Sequence, residues 1–176
     1  MIISRFHAKI GNRKDNTMTP ESIPDTTVFD IADWFLAKAN DENKPLKPMK
    51  LQKLVYFAYG WRYAYFDKPL FPETIYAWRH GPVVKELYDR FKPFKGQPII
   101  EGVTPKKLDV QVETILDSVW KAYGQYSDVH LSDITHRPDS PWASAYRSDE
   151  WYAVMTPESI RKYFKELLEK RTHAGH

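Results

Sequence analysis

The sequence predicts a mainly α fold, a compact helical domain around a buried aromatic central helix with a minor short β element. Three observations carry this expectation. The stretch "MKLQKLVYFAYGWRYAYF", 49–66, is apolar on nearly all sides of a helix, as a central buried helix is. Amphipathic stripes of helical period lie on both sides of it. Only "TIYAW", 74–78, has the β-branched and aromatic composition of a strand. The 176 residues amount to about one domain. Aromatic residues make up 15% of them, so rings should build much of the core.

Residues 1–26 are polar and lack a sustained period, and read as a loose or lightly docked extension. The domain proper is expected over 27–170, with 171–176 as a frayed tail. The first helix runs from Val28 to about Asn40 with Val28, Ile31, Ala32, Phe35 and Leu36 in one stripe. Thr27 with Asp30 resembles a capping box. "NDENKPLKP" is a polar loop before the central helix, and "DKPLFPE" a turn after it. Next, "HGPVVKELYDRF" reads as a corner: Gly81 supplies the turn and Pro82 occupies the first helical position. Val83, Val84, Leu87, Tyr88 and Phe91 would then line that helix until Pro93. "KGQPIIEGVTP" is a loop with room for a short strand at Ile99–Ile100.

Lys107–Tyr123 is a further amphipathic helix, with Val112, Ile115, Leu116, Val119, Trp120 and Tyr123 in register. Ser127 caps a short helix through "DVHLSDITH". Ser140 caps a second one, with Pro141 at its first position. The hexapeptide "MTPESI" occurs at 18–23 and at 155–160. Both copies read as helix starts, but one six-residue match is no structural repeat. The second leads into a helix striped by Ile160, Phe164, Leu167 and Leu168.

Composition excludes several kinds of chemistry. Cysteine is absent, which removes disulfides, thiolate nucleophiles and Cys-type zinc sites. No Gly-x-Ser-x-Gly, Gly-rich phosphate loop or His-Glu-x-x-His occurs. His130 and His136 are six residues apart and so fall on different helix faces. No metal, cofactor or catalytic residue is therefore assigned. No apolar run reaches the roughly 20 residues of a membrane span. No secretion signal is read at the N-terminus, and a cytoplasmic location is the expectation. Net charge is only +3, with acids and bases interspersed, so nucleic acid is a poor fit as partner.

Two features remain. Lys44, Lys47, Lys50 and Lys53 cluster at the start of the central helix, against its macrodipole. They serve either an acidic partner or nothing beyond a solvated loop. His80 and Trp78 flank the Gly81-Pro82 corner. They either support the turn or present a partner-binding surface.

The segment "PMKLQKLVYFAYGWRYAYFDKPLFPETIYAWRHGPVVKELYDRFK" resembles the core of the Panacea domain family, which includes phage-associated GepA-like and SocA-like proteins. Lys50-Leu51-Gln52-Lys53-Leu54 matches its Lys-Leu-x-Lys-Leu. Ala77-Trp78-Arg79-His80-Gly81-Pro82-Val83 matches its Ala-Trp-x-x-Gly-Pro-Val, followed by Tyr88. "LSDITHRPDSPWASA" supplies Thr135, His136, Pro141 and Trp142. Asp67 stands where the family commonly has Gly. The resemblance covers about residues 28–170.

It implies an antitoxin of a type II toxin–antitoxin pair that binds a cognate protein toxin directly and is not an enzyme. One relative also acts as an adaptor to a Clp-type protease. Some relatives carry an added DNA-binding domain, for which 27 residues of extension are too short. Lys50, Gln52, Lys53, Trp78, His80, His136 and Trp142 are the partner-binding candidates. Gly81, Pro82 and Pro141 are structural ones. A homo-oligomer fits as well. Two other functions stay open: a hydrolase-like enzyme using His80, His136 and nearby carboxylates, and a nucleic-acid-binding regulator.

Overall fold

The computed structural model describes residues 25–147, 149–150 and 152–173. Most of the polar extension, the first "MTPESI" copy and residues 174–176 lie outside the described residues. Seven α-helices and one two-stranded antiparallel sheet are seen among the described residues. The mainly helical expectation with a small β element holds.

Helix α1, Val28–Asp41, starts at a full capping box. The Thr27 side chain accepts from the Asp30 N–H, and Asp30 accepts from the Thr27 N–H. Its stripe Val28, Ile31, Ala32, Phe35, Leu36 and Ala39 is buried. Just before it, Thr26 is buried and donates its hydroxyl to the Leu70 carbonyl.

Helix α2, Pro48–Phe66, is the centre of the molecule. Every residue from Leu51 to Tyr63 is buried. It ends where Asp67 takes a left-handed conformation, φ 58°, a backbone state that glycine adopts most readily. Arg161 and Lys165 of the C-terminal helix pair with the Asp67 carboxylate.

The largest departure from expectation follows. Ile75–Trp78 forms strand β1, but Gly81–Val84 is strand β2, not the first turn of a helix. The two make a hairpin with Trp78 opposite Gly81 and Ile75 opposite Val84. Arg79 and His80 are the turn. Gly81 has φ 105°, a conformation other residues resist. Pro82 stands opposite Ala77 with its carbonyl turned out of the ladder, a register where proline costs no cross-strand bond. Helix α3, Lys85–Phe91, therefore starts three residues later than expected. Val83 and Val84 are both buried in this strand, and Val84 joins the main hydrophobic core. A 3₁₀ turn, Lys92–Phe94, closes it.

Residues 153–155 add a partial third strand. The Ala77 N–H donates to the Ala153 carbonyl at 2.8 Å, and the Met155 N–H to the Ile75 carbonyl at 2.9 Å. Tyr76 faces Val154. No strand forms at Ile99–Ile100. Ile99 is buried and its N–H donates to the Leu46 carbonyl, while Ile100 is exposed.

Helix α4, Val110–Tyr123, begins at Asp109, whose side chain accepts from the Gln111 N–H. It starts later than the expected Lys107, because the cap at Asp109 leaves the two lysines before it in the loop. Helices α5, Asp128–Thr135, and α6, Pro141–Ala145, have the expected caps, Ser127 and Ser140. Helix α7, Pro157–His173, continues past the expected domain limit at Lys170. It lays Phe164 onto α2 between Tyr56, Phe57 and Trp61, at ring-centroid distances of 5.6, 6.4 and 5.2 Å. A Cβ on Gly60 would overlap the Phe164 ring, so this glycine is the socket for that ring.

Candidate functional site

The signature residues converge on the hairpin, and most of them hold it in place. The alternate carbonyls of residues 78, 80, 82 and 84 each accept from a side chain of another element. Trp142 Nε1–H of α6 donates to the Trp78 carbonyl at 2.7 Å. Ser132 Oγ–H of α5 donates to the His80 carbonyl at 2.9 Å. Lys53 Nζ of α2 donates to the Pro82 carbonyl at 3.1 Å. Gln52 Nε2–H donates to the Val84 carbonyl at 3.0 Å, and its Oε1 accepts from the Val84 N–H at 2.9 Å. The Gln52 amide thus continues the ladder as a strand residue would, on an edge that a two-stranded sheet otherwise leaves open.

Lys53 corrects the basic-cluster reading. It is 1% exposed, so it presents no charge to a partner. Its stem passes Gly81, where a Cβ would come within 2.7 Å of both Lys53 Cε and Thr135 Oγ1. Burial pulls the Lys53 ammonium down to about 7. Gln52 is also buried, which removes it from any surface in this fold. Lys50 is partly exposed, and its ammonium donates to the Gly124 carbonyl at 2.7 Å. Gly124 is the C-cap of α4, so the lysine that opposes the α2 macrodipole serves the negative end of α4 instead. Desolvation lowers the Lys50 ammonium as well. Lys44 is paired with Glu42 at 2.8 Å.

The aromatic and histidine candidates are brought together. His136, the C-cap of α5, lies 3.8 Å from the Trp142 ring centroid. Trp142 stacks in turn on Tyr146 at 4.6 Å. Burial, followed by the Lys53 charge, holds His136 below the ordinary imidazole range, with Asp133 opposing and His80 adding to the shift. His136 Nε2 is buried and has no hydrogen-bond partner among the described residues. Asp133 acts on it only through its field, since among the described residues no carboxylate hydrogen-bonds the ring. A histidine base oriented by a carboxylate is therefore not assembled here. His80 is exposed on the hairpin turn. Pro141 starts α6 as expected and is buried. Among the described residues no group of three His, Asp or Glu could hold a metal, and no helix is long and apolar enough to cross a membrane.

Sequence reasoning missed Ser132 and Tyr152. Ser132 is the hydroxyl of α5 that donates to the hairpin, and nothing local to its own helix marks it for that contact. Tyr152 lies beside Tyr76, ring centroids 5.7 Å apart, at the end of the third-strand segment. The helical scaffold thus pins the hairpin from three helices and leaves His80 exposed, with Trp78 and Trp142 half-buried.

The chain belongs to the antitoxin SocA-like, Panacea domain family, whose family model matches residues 51–143. It is similar to the curated Antitoxin SocA of Caulobacter vibrioides (strain NA1000 / CB15N), with 27% identity over 138 residues, 72% of each chain. No solved structure matches. The matched span contains all the hairpin-pinning side chains, Gln52, Lys53, Ser132 and Trp142.

Proposed function

We propose that this chain is the antitoxin of a toxin–antitoxin pair and neutralises a cognate protein toxin by direct binding, without catalysis, in the cytoplasm. Membership of an antitoxin family carries this reading. The geometry supports it in one respect. The signature side chains Gln52, Lys53 and Trp142 are engaged with backbone carbonyls, which leaves the exposed hairpin turn, Arg79 and His80, for recognition. Of the contact candidates, Trp78, His80 and Trp142 stay at or near the surface, and Gln52 and Lys53 belong to the scaffold. Delivery of the bound toxin to a Clp-type protease is a second step the same module can perform by holding both proteins.

The test is co-expression with the product of the neighbouring gene. Relief of growth arrest together with a co-purifying complex is the expected result. Persistent arrest with no complex refutes the reading. Measuring toxin half-life in cells with and without the Clp protease separates sequestration from delivery.

A further inference from the structure

The end of β1 opens on a groove of about 480 Å³ between the hairpin, α3 and the loop after α6. Its walls are aromatic: Trp78, Tyr88 and Tyr152. Tyr88 is 44% exposed and Tyr152 59%, and Val154 beside them is 47% exposed. Apolar surface gathered in this way on one face marks an interaction site more often than scattered exposure does. The rings are fixed in place. Trp78 meets Tyr88 edge-on at 4.9 Å, and Tyr152 meets Tyr76 edge-on at 5.7 Å.

The rim is acidic. Asp89, Asp149 and Glu150 face the groove, with Lys85 the one cation among its described lining residues. That lysine is held by Asp89, which also pairs with Lys92 at 3.0 Å. Arg147, next along the loop, donates to the Ser144 and Tyr146 carbonyls. Asp149 and Glu150 have no ion-pair partner among the described residues. A negative rim over aromatic walls, on a chain of net charge +3, is complementary to a cation. Of the biological cations, a guanidinium uses both parts. Its flat face stacks on rings, and its edge donates two parallel hydrogen bonds to a carboxylate.

We infer that this groove receives an arginine side chain presented by the protein partner. The inference rests on the antitoxin reading and assigns a contact face to it. Tyr88 and Tyr152 supply the stacking surface, and Asp149 and Glu150 the hydrogen-bond acceptors.

Two experiments test it. In the first, acetyl-arginine amide is titrated into the full chain and followed by amide and indole NMR shifts. Shifts centred on Trp78, Tyr88 and Tyr152 are expected, with binding roughly fivefold weaker in a D149N/E150Q variant. Equal response to the uncharged isostere acetyl-citrulline amide, or to acetyl-lysine amide, overturns the assignment, as do shifts confined to another face. In the second, the neighbouring gene's product is titrated with wild type and with D149K/E150K, both substitutions lying in an exposed loop. A loss of at least about tenfold in affinity is expected. Equal binding by the two proteins overturns the groove while the antitoxin reading stands. No binding by wild type, with the arginine response intact, removes the antitoxin reading and leaves the groove's chemistry standing.

Discussion

Replacing Lys53 by Met should change how stability depends on pH, and the size of the effect can be worked out. The Lys53 ammonium titrates at about 7 in the fold against 10.5 for an ordinary lysine. Between those values the unfolded chain binds a proton that the folded chain refuses. Folding is therefore opposed most strongly below pH 7, and the opposition fades as pH rises towards 10.5. Integrating the two titrations gives about 3 kcal/mol of added stability between about pH 7 and 9.5 for wild type. In the Lys53→Met variant the thioether side chain keeps most of the stem volume and has no proton to refuse. Its fixed cost is the orphaned Pro82 carbonyl, about 1–3 kcal/mol and independent of pH.

The assay is urea unfolding of both proteins at half-unit steps from about pH 7 to 9.5, compared as a difference. The difference cancels the buried tyrosines, among them Tyr56, whose phenol burial pushes well up. Wild type should gain about 3 kcal/mol relative to Lys53→Met across that range. Parallel curves would show that Lys53 keeps its proton in the fold and would refute the argument.

Gly60→Ala should destabilise by about 1–3 kcal/mol, although alanine is the better helix former, because the added methyl overlaps Phe164; thermal unfolding reads this directly. Gln52→Leu leaves the Val84 N–H and carbonyl without partners and should cost about 2–4 kcal/mol in urea, with faster amide exchange at Val84 as its signature. At Asp67, glycine relieves the left-handed backbone while alanine does not, so Asp67→Gly should be more stable than Asp67→Ala by about 1 kcal/mol even though both lose the Arg161 pair. His136, held below the ordinary imidazole range, favours the fold when neutral. Its contribution is present above pH 6.5 and lost as pH falls below that value, so a His136→Asn variant should show a flatter acid limb in thermal scans from about pH 7.5 to 5.

The helices were legible because their burial repeats with a helical period and their caps are local. Thr27 with Asp30, Ser127 and Ser140 each act on a backbone N–H within the first turn. Gly81–Val84 was not legible in the same way. Its residues are all buried, so they carry no alternation to mark a strand, and proline after glycine also opens helices. What settles the matter is non-local: register against β1 and the amide of Gln52 from α2. The lysines misled for a related reason. Charge suggests exposure, yet a helix buried on all sides has no solvent face to offer its polar residues. Gln52 and Lys53 sit inside that buried run. The groove beside Trp78 needed both α3 and the 149–152 loop, which lie far apart in sequence from each other.

The seating of Phe164 against Gly60 also sets an order of events during synthesis. Helix α2 leaves the ribosome with an aromatic face whose cover, α7, is about 100 residues behind it. At roughly 5–20 residues per second the uncovered rings wait for about 5 to 20 seconds. Until Phe164 arrives, the chain exposes the kind of surface that chaperones bind and proteases reach. Any later event that lifts α7 away would return the protein to that state. The docking of α7 is thus the last packing step that hides the rings of α2.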